Sequence, residues 1–76
     1  MINEHDRVVL NKNIPKLGLE AGEIGTVVHM YKDGTPFEVE FVSLDGATSL
    51  VATVLAEDLR PVHKREIPHA RQLAYA

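Results

Sequence analysis

Glu38 and Glu40 are spaced as two carboxylates that could share one piece of chemistry. At i, i+2 on an extended strand they point to the same side, about 7 Å apart, and a pair at that distance can divide acid and base roles. The stretch around them, Phe37-Glu38-Val39-Glu40-Phe41, alternates apolar with acidic residues, as a strand does when one face is dry and the other wet. That pattern predicts a solvated carboxylate face with no pocket around it.

The other candidates fare similarly. His5, His29, His63 and His69 make no i, i+4 pair, and none shares a local motif with a carboxylate at metal-ligand spacing. His29 is expected on the wetter face of its strand, in cross-strand charge contact with Glu38 or Glu40. Ser43 and Ser49 sit in turn and strand contexts with no base beside them. Gly22-x-x-Gly25 lacks the Lys-Ser/Thr of a phosphate loop and opens no helix, so it reads as a turn device. Cysteine is absent, which removes disulfides and thiolate metal sites. The expectation is a protein that is not an enzyme and uses no cofactor or metal.

The elements that position these residues are short strands. Asp6–Leu10 reads as the first. The loop 11–21 follows, with Pro15 blocking a helix, Gly18 permitting a bend, and Ile14, Leu17 and Leu19 pinning it down. Gly22 to Phe41 reads as turn, strand, Asp33-Gly34 turn, strand, a hairpin at the centre of the fold. In its first strand strict alternation puts Ile24, Thr26, Val28 and Met30 on one face and Val27, His29 and Tyr31 on the other. Val28, Met30, Phe37, Val39 and Phe41 then form its inner face. Asp45-Gly46 makes a second turn, and Thr48–Leu55 a fourth strand that is apolar on both faces, either sandwiched or meeting something outside the domain. Ala56–Leu59 reads as one helical turn before a last short strand, Arg60-Pro61-Val62. Residues 63–76 form a basic tail, flexible or ordered by a partner or by packing on the body, with weak helical spacing in Ala70, Leu73 and Ala74.

Size and charge bound the function. A chain of 76 residues is one domain near the lower limit for a single apolar core. With two Phe, two Tyr and no Trp, that core must rest on Val, Leu and Ile, which favours strands. No apolar run approaches the roughly 18 residues that span a membrane. Residues 1–6 lack the basic and apolar regions of a secretory signal, so a cytoplasmic location is expected. Residues 1–62 hold five Lys/Arg against ten Asp/Glu, and residues 63–76 hold three against one. An acidic body repels phosphate backbones and attracts basic surfaces.

Asp6-x-Val8 followed by Gly22-x-x-Gly25-x-Val27, with a one-turn helix before the last strand, resembles an SH3-like barrel of the kind found in KOW modules and in the nitrile hydratase β subunit. Leu19–Val28 and Glu57–Val62 look more closely like an uncharacterised family of small bacterial single-domain proteins. The resemblance covers residues 6–62. It implies an all-β, five-stranded SH3-like barrel over residues 1–62, and pairing with a neighbouring small protein in the manner of toxin–antitoxin couples. KOW modules use basic loops on RNA or ribosomal proteins, whereas the loops here offer only Lys12, Lys16 and Lys32.

Taken together, these readings predict a non-enzymatic protein-interaction module, antitoxin- or immunity-like, that docks an acidic face on a basic protein partner. Glu38 and Glu40 carry the charge, with Asp33 and Asp45 at the turns; Tyr31, Val51 and Leu55 add apolar contact; Lys64 and Arg65 act from the tail. Self-association through the fourth strand is compatible with it. The alternative is a KOW-like nucleic-acid or ribosome-associated module working through the tail and the Asn11–Lys16 loop, because nucleic acid is not expected to bind the body itself.

Overall fold

Strict apolar–polar alternation is realised most cleanly in β3 (Phe37–Val42), where Phe37, Val39 and Phe41 are buried while Glu38 and Glu40 are half-buried on the other face. In the computed structural model, which describes residues 2–73, β3 lies between β2 (Ile24–Met30) and β4 (Ser49–Val54). β1 (Arg7–Leu10) pairs with β2 and carries β5 (Leu59–Pro61) on its far side. The order is β4-β3-β2-β1-β5, every pair antiparallel. The fold is all-β and barrel-like, but the sheet does not close, so β4 and β5 are its edges.

One apolar cluster fills the concave side. Val8, Leu10, Leu19, Val27, Phe37, Val39, Phe41, Ala52, Val54 and Leu59 make it up, with Ile2, Ile14, Met30 and Leu50 packed around them. No polar side chain is buried among the described residues. Val9 is buried on the opposite face of β1, between its register neighbours Ile24 and Arg60. A 3₁₀ turn at Ala56–Asp58 delivers the chain to β5, in the place expected for the helical turn.

The strict period of two fails at one point in β2. Val27 pairs with Val39, yet His29 pairs with Glu38, so Val28 is an extra residue. Such a bulge shifts the side-chain phase by one. Gly25 and Val27 therefore face inward before it and Met30 after it, while Val28 is 38% exposed. This corrects the placement of Val28 on the inner face. Leu17 is likewise exposed, because the 3₁₀ turn Pro15–Leu17 lifts it off the body, and only Ile14 and Leu19, bridged to each other, pin the loop. β4 is not sandwiched: Leu50, Ala52 and Val54 face the core, and Val51 and Leu55 lie exposed.

Gly25 is required by close approach. A Cβ there would lie 2.5 Å from Val39 Cγ1, 2.9 Å from Phe41 Cε1 and 3.0 Å from the Glu40 carbonyl oxygen. Gly25→Ala must push two core side chains and one backbone strand aside, and is expected to cost about 1–3 kcal/mol. Urea denaturation will show it as a lower midpoint with an unchanged slope.

Candidate functional site

The convex face of β2, β3 and β4 brings together most of the residues expected to bind a partner. Register sets the rows: His29, Glu38 and Thr53 lie side by side, then Thr26, Glu40 and Val51, then Val42 and Ser49. Glu38 is the polar centre of this face. It accepts a hydrogen bond from Tyr31 Oη at 2.8 Å through Oε2, and Thr53 Oγ1 lies 2.9 Å from Oε1 and 3.0 Å from Oε2. The Tyr31 hydroxyl is held above its ordinary pKa, first because it donates to Glu38 and then because of the carboxylate charge. The Tyr31 ring meets His29 edge-on, with centroids 4.8 Å apart. His29 Nδ1 is 3.8 Å from a Glu4 carboxylate oxygen, so the N-terminal segment, not Glu38, sets a carboxylate beside its ring nitrogen.

Glu40 differs from Glu38. Its register neighbours are Thr26 and Val51, and no ion pair among the described residues includes it. Around this carboxylate Val28, Val42 and Val51 remain exposed, Val51 by 55%, and Leu55 is exposed farther along, just past the end of β4. The face thus joins an uncommitted anion to apolar surface. Asp33 and Asp45 do not join it as free charges: Asp33 Oδ1 accepts from Thr35 N at 3.2 Å, and Asp45 Oδ1 accepts from Ser43 Oγ at 2.6 Å and Ala47 N at 3.0 Å. Those bonds, Ser43 first, hold the Asp45 carboxyl below its usual range.

Residues 63–73 lie against the body. Glu66 receives Arg60 in a two-pronged pair, 2.9 Å to Nη1 and 2.7 Å to Nη2, and also accepts from His63 N at 2.6 Å. Arg71 makes the matching pair with Glu23, 2.6 Å from Nε and 2.6 Å from Nη2, and also donates to the Gly18 carbonyl. Such two-pronged pairs add geometric specificity to charge attraction. Lys64 and Arg65, at the turn between His63 and Glu66, are exposed and enter no ion pair among the described residues. They are not brought to the Glu38–Glu40 face by any contact in the structure. The weak helical spacing forms no helix as far as Leu73, and past the turn at His63–Glu66 the segment is held by the Arg71–Glu23 pair; Ala74 lies outside the described residues.

Between residues 68–73 and the open end of the sheet is a cleft of about 580 Å³, floored by Leu19, Ile24, Phe41 and Leu50 and rimmed by Asp45 and Arg71. Sequence reasoning missed it. Its walls are 48 residues apart at the Glu23–Arg71 pair, and no local pattern announces such a meeting. Among the described residues no cluster of three or more His, Asp or Glu is placed to hold a metal ion, and no helix is long and apolar enough to cross a membrane.

The class is therefore that of small all-β domains built on one open, barrel-like antiparallel sheet. Within it, residues 4–61 match the family described as a domain of unknown function, DUF4926, and the chain belongs to that family. No curated protein and no solved structure matches the chain.

Glu66 is held down at about 2, first by the Arg60 hydrogen bonds and then by the His63 amide. A depressed carboxyl stabilises the folded form above its unfolded value near 4.5 and loses that contribution as the pH falls through about 2. An NMR titration of the Glu66 carboxyl is expected to show a midpoint near 2. In Arg60→Ala the midpoint should rise toward the ordinary Glu value, with amides of residues 63–66 losing exchange protection.

Proposed function

We propose that this protein is a non-enzymatic interaction module that docks the convex β2–β3–β4 face on a basic protein partner, in the manner of an antitoxin or immunity protein. The observation that carries the reading is Glu40, a half-buried carboxylate without an ion-pair partner among the described residues, set among exposed Val28, Val42 and Val51. A cation from a partner would meet Glu40, and the surrounding valines would exclude water from the contact, which strengthens it. Glu38 is already turned toward Tyr31 and Thr53, so it arrives preorganised and loses little side-chain freedom on docking.

Charge supports a basic protein over a nucleic acid. Lys12 pairs with Asp58, Arg60 with Glu66 and Arg71 with Glu23, so three of the eight Lys/Arg are already spent within the chain. Phosphate binding draws on clustered free cations.

The test is capture by the full chain from its own cells, compared with Glu38→Lys/Glu40→Lys. A basic protein held one-to-one by the wild type, and at least about tenfold more weakly by the charge reversal, is expected. Unchanged capture by the folded reversal, or retention of RNA or DNA at about 50 mM salt with no protein held, would overturn the proposal.

A further inference from the structure

The β4 edge offers a surface of a different kind. Ser49 to Val54 pair with β3 on one side over six consecutive register positions. On the other side no backbone group of β4 hydrogen-bonds to any described residue. From Ala47 to Ala56 the chain holds no charge and no proline, and β4 is free of bulges against β3. Natural edges are blunted by charge, proline, bulges or shortness. β4 has none of these. The opposite edge has them: β5 is three residues long and carries Arg60 and Pro61.

We infer that β4 is a homodimer edge, pairing antiparallel with β4 of a second copy about a two-fold axis to make one continuous ten-stranded sheet. The inference rests on the open edge and goes beyond the docking proposal, since it uses a different surface and leaves Glu38 and Glu40 free for a basic partner. Three observations select a second copy as the occupant. An uncharged strand meets its own copy without placing any charge against it, whereas a basic strand would find no counter-charge anywhere along residues 47–56. Pairing centred on Val51 sets Val51 against Val51 and Ser49 against Thr53 on the convex side, and Leu50 against Ala52 on the core side, so like faces meet like. The guarded β5 edge blocks β4-to-β5 addition, which would run on without closing; β4-to-β4 pairing closes after two copies.

Sedimentation equilibrium of the full chain alone, at about 100 μM, is expected to give twice the monomer mass. Ser49→Lys/Thr53→Lys places two like-charged pairs across the proposed axis and should weaken the dimer about tenfold or more. Because the chain has no cysteine, Val51→Cys gives an independent reading in an otherwise native protein. Mild oxidation should join it into a disulfide dimer well ahead of Leu44→Cys, whose position is 88% exposed on the β3–β4 turn. A wild-type monomer at that concentration would overturn the inference, as would a folded double variant that dimerises unchanged, or equal cross-linking of the two cysteine variants. Each of these readouts uses the chain alone. They leave the Glu38→Lys/Glu40→Lys comparison, made against a basic partner, as a separate result.

Discussion

The structure depends on the pairing of Val27 with Val39. Both side chains are fully buried, they face each other in register at the middle of the sheet, and Gly25 two residues earlier lets Val39 and Phe41 close over β2. A small domain has little apolar area to spare, so this central contact must be tight before the outer strands gain anything by adding to it. The bulge at Val28 follows directly. Met30 must also reach the core, and three residues on from Val27 it can do so only if one residue is left out of the alternation. The same slip puts His29 beside Glu38 and leaves Val28 exposed, so a requirement of the core fixes the composition of the convex face.

A second constraint is electrostatic. An acidic body of this size would repel itself if every carboxylate stood alone. The tail relieves part of that repulsion by returning Arg71 to Glu23, while its own Glu66 is neutralised by Arg60 of the body. Both pairs are partly solvated, and isolated surface pairs contribute little to global stability. Their effect is positional: they lay residues 63–73 along the open end of the sheet and create the cleft over Phe41 and Leu50. Because the sheet does not close, the segment that follows the matched family region shapes the surface there.

How much of this was readable from residues alone follows from the range of each interaction. β3 was legible because its alternation is unbroken, and the Asp-Gly turns because Gly34 and Gly46 do take positive φ. The one-turn helix before β5 and the five-strand count were legible for the same local reasons. Val28 was misplaced because a bulge leaves no mark in a run such as Ile24-Gly25-Thr26-Val27-Val28, where either phase satisfies the pattern. Leu17 was misplaced because an apolar residue in a loop carries no sign of whether its turn faces the core. Of the expected binding residues, Glu38, Glu40, Tyr31, Val51 and Leu55 do share one region of β2–β4 and its flanks, since strand alternation dictates it. Lys64 and Arg65 stand apart, because tail position depends on pairs that span the chain.

The contrast between Glu38 and Glu40 sharpens what the convex face can do. Two carboxylates that catalyse together need different proton affinities, which an enclosed site creates by burying one and solvating the other. Here both are half-buried on one open face, and what separates them is hydrogen bonding. Glu38 is held by a phenol and a hydroxyl, while Glu40 looks past Thr26 and Val51 to solvent. This arrangement holds one fixed and one free anion on an open sheet face. It presents a fixed spacing of negative charge within apolar surroundings, and recognition of a complementary surface requires nothing more.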